Sequence, residues 1–212
     1  MHFEEVVLQT ASVARTKLFY GKTLELPISK ETDDAITFSV GNSLLTFKAA
    51  TAGKPYYHIA FNITPNKFSD SFEWLNRKLD IIPMQEDIPI AVYPEWNAQS
   101  FYFMDNNASI LEFIARFDLP YISDAPFTIA DIKEISEVGI ATNDVGATAE
   151  VLHKDHGVPL FRKTKTTEHF TALGDDHGLF ILSHTSRTWV PTDKPSRPFP
   201  ITVVADGKTI TF

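Results

Sequence analysis

Glu5-Val-Val-Leu-Gln-Thr10 is answered later in the chain by His58-Ile-Ala-Phe-Asn-Ile63 and again by Glu137-Val-Gly-Ile-Ala-Thr142. Each stretch is alternating and β-prone, with a metal-capable side chain in front, and reads as a strand whose alternate residues share one face. A helical pattern follows each time. In the first copy Val13 to Tyr20 leads to Leu24. In the second, Thr64 is placed as a cap and Pro65 as a first-turn proline, and Phe68, Phe72, Leu75 and Leu79 form one apolar stripe. In the third, Asn143 or Asp144 can cap, Val145, Thr148, Ala149 and Leu152 make the stripe, and Gly157 is placed to end the helix.

Each helix runs into an apolar-Pro-apolar step at Pro27, Pro83 and Pro159, which stops the helix and starts an extended segment. The lead residue precedes that proline by 22, 25 and 22 residues. Two further strands close each copy: Ile36–Val40 with Ser43–Lys48, Ser100–Met104 with Ser109–Ile114, and Glu168–Leu173 with Gly178–Ser183. The same order and spacing three times over defines a βαβββ module in tandem, an α+β chain. A proline-rich loop follows (Pro191, Pro195, Pro198, Pro200). The chain then reads Ile201–Ala205, Asp206-Gly207, Lys208–Phe212, a tight-hairpin signal. This hairpin is either the remnant of a fourth module or an edge hairpin on the third.

Composition narrows the function classes. Apolar residues make up 43% and charged residues 22%, a globular balance. There is no cysteine, so disulfides, thiolate metal sites and a cysteine nucleophile are excluded. The formal net charge of −8 without a dense Lys/Arg run disfavours nucleic acid. No apolar run approaches the ~18 residues of a membrane span, and no signal peptide is visible after Met1, so a cytoplasmic protein acting on a small molecule is expected.

Several stretches resemble the vicinal oxygen chelate superfamily, which includes glyoxalase I, extradiol ring-cleavage dioxygenases, fosfomycin-resistance enzymes and bleomycin-resistance proteins. Tyr57-His-Ile-Ala-Phe61 is similar to the strand that carries a metal-binding histidine in that family, and Ile110-Leu-Glu-Phe-Ile-Ala-Arg116 to the strand that carries its metal-binding glutamate. Thr16-Lys-Leu-Phe-Tyr20 resembles its Phe-Tyr helix. The likeness covers residues 1–116 and, less fully, 134–184. Asp105-Asn-Asn-Ala-Ser109 departs from the family's Asp-Pro-Asp-Gly-Asn turn with its spacing kept, and Glu5 and Thr46 stand where many members have His and Glu or Gln.

The resemblance implies that the first two modules (1–50 and 55–116) pair into one domain, 1–116, around a cup, with a third module and the terminal hairpin at 130–212. Glu5, His58 and Glu112 would then be metal ligands, with Glu112 and His58 also catalytic. Gln9, Thr46, Lys48, Asn62 and Arg116 would line the substrate. The ligand set suits a divalent transition metal: Fe, Mn, Ni, Co or Zn. Glu137 matches Glu5 in position, but Ile181 takes the place of Thr46, so the third module lacks the full set. His169, His177 and His184 read as surface residues, Trp74 as core, and Tyr56, Tyr93 and Trp96 as loop residues able to gate the cup. A lone third module must cover one side of its sheet, so a homodimer through 130–212 is expected. The function implied is a metal-dependent enzyme acting on a substrate with vicinal oxygens, either a ring-cleavage dioxygenase or a glyoxalase-like lyase or isomerase. The competing reading is a metal-free binding protein of the bleomycin-resistance type.

Overall fold

The computed structural model describes residues 1–212. The first module contributes β1 (Phe3–Thr10), α1 (Val13–Leu18), β2 (Ile28–Glu31), β3 (Ala35–Val40) and β4 (Ser43–Ala49). The second contributes β5 (His58–Ile63), α2 (Phe68–Asn76), β6 (Ala91–Tyr93), β7 (Ala98–Met104) and β8 (Ile110–Arg116). The third contributes β9 (Ile132–Thr142), α3 (Val145–Lys154), β10 (Phe170–Asp175) and β11 (Gly178–His184). The chain closes with the hairpin β12 (Thr202–Ala205) and β13 (Lys208–Thr211). In the third module the strand expected after Pro159 is reduced to one bridge, Leu160 to Leu173.

Local sequence explains the helix ends. Ser12 caps α1 by accepting from the Arg15 N–H, and Asp144 caps α3 by accepting from the Ala147 N–H at 2.8 Å. Gly157 ends α3 at φ 74°, a conformation that costs glycine little. Thr64 does not cap its helix. Its hydroxyl donates instead to Asp131 Oδ1 at 3.0 Å, and a 3₁₀ turn at Pro65–Lys67 leads into α2. The turn before β8 is built without a proline or glycine. The Asp105 carboxylate accepts from the Asn107 and Ser109 N–H groups at 2.8 and 2.7 Å, and Ala108 takes the left-handed bend at φ 59°.

The modules are those expected, but their pairing is not. In each module the lead strand lies parallel to the final one: β1 with β4, β5 with β8, β9 with β11. The free edge of β5 joins β9, antiparallel, and the free edge of β1 joins β12. The result is a six-stranded sheet in the order β13-β12-β1-β4-β3-β2 and a seven-stranded sheet in the order β10-β11-β9-β5-β8-β7-β6. The second module therefore shares its cup with the third, and the expected paired unit at 1–116 is corrected. All six residues of β5 are buried, as suits a strand at the centre of a sheet, whereas β1 alternates between buried and partly exposed residues. The third module is no longer lone, so the covering argument for a homodimer loses its basis.

One core joins both sheets and the helices. Val6 and Leu8 of β1, Ile59 and Phe61 of β5, Phe113 of β8, Val138 and Ile140 of β9, and Leu75 of α2 all belong to it. The aromatic pairs Phe61–Phe113 and Phe101–Phe113 meet edge-on at 6.0 and 5.6 Å. Full burial of each such side chain is worth roughly 1.5–3 kcal/mol. With the odd-numbered residues of β5 committed to this core, His58, Ala60 and Asn62 face the opposite side.

Candidate metal centre

Strand register places the site. Across the seven-stranded sheet Tyr102 pairs with Glu112, Glu112 with Ala60, Ala60 with Glu137, and Glu137 with Leu179. The two carboxylates thus flank Ala60, whose methyl group leaves the space between them open. His58 lies two residues before Ala60 on the same face. Its Nε2 is 3.6 Å from Glu112 Oε2 and 3.5 Å from Glu137 Oε2. All three residues are buried, and one donor atom from each lies within 4.8 Å of the others.

The neighbours hold this arrangement. Arg116, fully buried, donates through Nη2 to Glu137 Oε1, which leaves Oε2 turned to His58. Its Nε donates to Ser136 Oγ at 3.2 Å, and the guanidinium stands 5.2 Å from the Trp96 ring centroid. Trp189 stacks on the His58 imidazole with centroids 5.5 Å apart. Gly139 makes that approach possible, because a Cβ there would lie 2.9 Å from His58 Cβ and 2.7 Å from the Trp189 ring. Trp96 Nε1 donates to the Lys163 carbonyl at 3.1 Å and ties the second module to the third across the cup.

Electrostatics follow from burial. Burial, and then the Glu137 carboxylate beside it, push Glu112 up to about 7. Burial pulls the His58 imidazole down, but Glu137 and Glu112 outweigh it and the net shift is upward. Tyr93 and Tyr102, with hydroxyls 2.5 Å apart, are both raised by burial and by the charge of Glu112. The triad forms the floor of a cavity of about 440 Å³ whose walls include Tyr93, Trp96, Tyr102, Phe170, Ile181 and Trp189.

Of the residues singled out from sequence, His58 and Glu112 meet here and Glu5 does not. Glu5 is in the other sheet, where it accepts from Thr46 Oγ1 at 2.6 Å, and Thr46 in turn bonds Thr37 at 2.8 Å. Glu137 takes the place expected of Glu5, because β9 and not β1 borders β5. Gln9, Thr46 and Lys48 follow Glu5 into the first sheet and are removed from the cup. Asn62 is fully buried and donates to Glu134 Oε1 and to the Asp176 carbonyl at 3.0 and 2.9 Å, a structural engagement. Arg116 supports Glu137 from behind. Tyr93 and Trp96 line the cavity, whereas Tyr56 lies outside it and donates to the Pro195 carbonyl. His177 is not a free surface residue: its Nδ1 is 2.9 Å from the buried Glu134 Oε1. Trp189 and Arg187 escaped sequence reasoning, since the irregular stretch after β11 has no period. Glu137 carried a signal, its match to the other two lead residues.

No protein-family profile and no curated protein sequence matches the chain. Solved structures do. A presumed dioxygenase from Bacillus subtilis superposes with a TM-score of 0.63 at 16% identity, over 86% of this chain and 63% of that one. A variant of glyoxalase I from Zea mays gives a TM-score of 0.60 at 14% identity, over 86% of this chain and 67% of that one. The chain spans less than two thirds of the bacterial protein. At these identities the likeness concerns architecture alone. The chain shares the fold of these two structures, built in this chain from tandem βαβββ modules.

Proposed function

We propose that His58, Glu112 and Glu137 hold one divalent transition-metal ion, and that the protein is a metal-dependent enzyme acting on a small substrate through two adjacent oxygens. The observation that carries this reading is the convergence of one imidazole nitrogen and two carboxylates, all buried, at the floor of a cavity. The donor set fits the group. Two buried carboxylates within 3.6 Å of one imidazole nitrogen call for a cation, and Arg116 bonds Glu137 but not Glu112. Nitrogen and oxygen donors suit Fe, Mn, Ni, Co or Zn.

Register also supports a site left open on one side. Glu112 stands opposite the third residue of its lead strand, Ala60, and Ile181 stands in the same way opposite Gly139. The position that mirrors Glu112 is thus apolar, and three protein ligands remain. A bound ion would act as a Lewis acid on adjacent substrate oxygens. The chain's own residues would do the rest. Arg116 fixes the orientation of Glu137, Trp189 covers the face of His58, and the Tyr93–Tyr102 hydroxyl pair offers a proton donor at the edge of Glu112. Ring-cleavage dioxygenation and glyoxalase-like lyase or isomerase chemistry both fit such a site.

Elemental analysis after incubation with Mn(II), Fe(II) or Zn(II) tests the proposal. About one ion per chain is expected, lost in Glu112→Ala. If none of the three ions is taken up, His58, Glu112, Glu137 and Arg116 are a self-contained charge network, and the protein is a metal-free binder.

A further inference from the structure

Above the triad the cavity wall changes character. Arg187, from the segment that leaves β11, and Lys165 and Thr164, from the segment that precedes β10, all line it. Neither cation is in an ion pair. Lys163 next to them is, with its ammonium 2.8 Å from Asp118 and 2.7 Å from Asp176. The Arg187 guanidinium stands 4.8 Å from the Phe170 ring centroid, and its Nη1 is buried without a hydrogen-bond partner. Thr164 Oγ1 is likewise buried without a partner. The large majority of buried side-chain polar atoms have a hydrogen-bond partner in folded proteins, so two unsatisfied donors on one cavity wall call for an explanation. A buried cationic nitrogen is the costlier of the two to leave unpaired. The one lining carboxylate outside the triad, Glu95, lies in the turn between β6 and β7 and is in no ion pair with Arg187 or Lys165.

We propose that this wall is an anion subsite: Arg187, Lys165 and Thr164 hold a carboxylate or phosphate on the substrate while its vicinal oxygens lie at the triad. The inference rests on the functional reading above for the second half of that statement only. An anionic ligand is compatible with the chain's net charge of −8, because net charge describes the surface as a whole and the cavity wall is set locally. Arg187 is suited to a planar, forked contact with such a group, and the Phe170 face keeps the guanidinium in place.

Four probes test it by calorimetry: dihydroxyphenylpropionate, its neutral methyl ester, its phosphonate analogue, and phenylpropionate, which has the charge but no chelating oxygens. Each is titrated into the metal-free and the Mn(II)-loaded protein. Dihydroxyphenylpropionate or the phosphonate should bind about tenfold or more tightly than the ester, the size of a charge-assisted contact, and the better of the two identifies the anion. Arg187→Gln combined with Lys165→Gln should abolish that preference and leave the affinity for the ester within about twofold. Equal affinities for acid and ester, a preference that survives the double substitution, or no binding of either anionic catechol by either form would overturn the proposal. Titration with Mn(II) alone reads the metal site separately. Uptake without an anion preference defeats only the subsite. Phenylpropionate binding that is lost on Arg187→Gln, without Mn(II) uptake, supports the subsite and defeats only the metal.

Discussion

Val7, Ala60 and Gly139 occupy the same place in three lead strands, two residues after Glu5, His58 and Glu137. In the first sheet the position is filled by valine, and the polar residues around it satisfy one another: Thr46 donates to Glu5 and bonds Thr37. In the second sheet the two small residues face each other's lead residues across the β5–β9 seam, and the acids converge on His58 instead of on a hydroxyl. The same module thus yields a self-satisfied polar face in one sheet and a buried three-donor pocket in the other. The difference lies in which edges meet and in how much side chain covers the floor. The number of polar residues is similar.

The largest test of this contrast is Arg116→Met. It leaves the buried Glu137 without its cation, and removing one partner of a buried pair costs about 3–5 kcal/mol. Urea unfolding of the metal-free protein should show that loss, and added Mn(II) should recover part of it. A change below about 1 kcal/mol would mean that the pocket does not depend on Arg116. Next is Gly139→Val, which gives the second sheet the residue found in the first. Its side chain meets His58 and Trp189, so a cost of about 1–3 kcal/mol is expected together with loss of bound metal. Unaltered metal content would show that floor size is not what separates the sheets.

A third test uses pH. Burial, then Glu137, raises Glu112 from the usual 4.5 to about 7 in the folded chain. A carboxyl whose folded value lies above its unfolded one binds its proton more tightly when folded. Its contribution is fully present below about 4.5 and is lost as pH rises to about 7. His58, depressed by burial but raised on balance by its two carboxylates, acts in the same direction above 6.5. The Tm of the metal-free protein should therefore fall between about pH 5 and pH 8. Mn(II) should offset the fall, because its ligands bind better once deprotonated. A Tm that rises over this range contradicts the electrostatics of the pocket. The smallest effect belongs to Glu5→Ala. It removes one half-buried hydrogen bond, worth about 1 kcal/mol, and should leave metal content unchanged. Loss of metal in this variant would restore the pairing of the first two modules.

The repeat, the helix ends at Asp144 and Gly157, and the presence of His58 and Glu112 on one face of the second module were legible because they depend on local pattern. The partner of β5 was not. Three modules have similar edges, and the choice between β1 and β9 is settled by contacts far apart in sequence. A signal existed in the residues themselves. His58-Ile-Ala and Glu137-Val-Gly carry small residues and bury nearly every position, whereas Glu4 and Glu5 lead a strand with one wetter face. Trp189 and Arg187 had no such signal. They act through an irregular segment whose course only the folded chain defines.

The pairing of β1 with β12 also sets an order in time. The residues of the cup, His58 to Trp189, are all synthesised before β12, so the seven-stranded sheet can assemble as soon as its last strands emerge. β1 is made before the cup and gains its second neighbour only after it. At roughly 5–20 residues per second, the stretch from Thr10 to Thr202 takes about 10–40 seconds to make. During that interval β1 has β4 on one side and bare backbone donors and acceptors on the other, the kind of edge that recruits foreign strands. The hairpin of β12 and β13 thus covers that edge of β1, and a substitution that weakens it would be felt in the yield of folded protein before it is felt in the pocket.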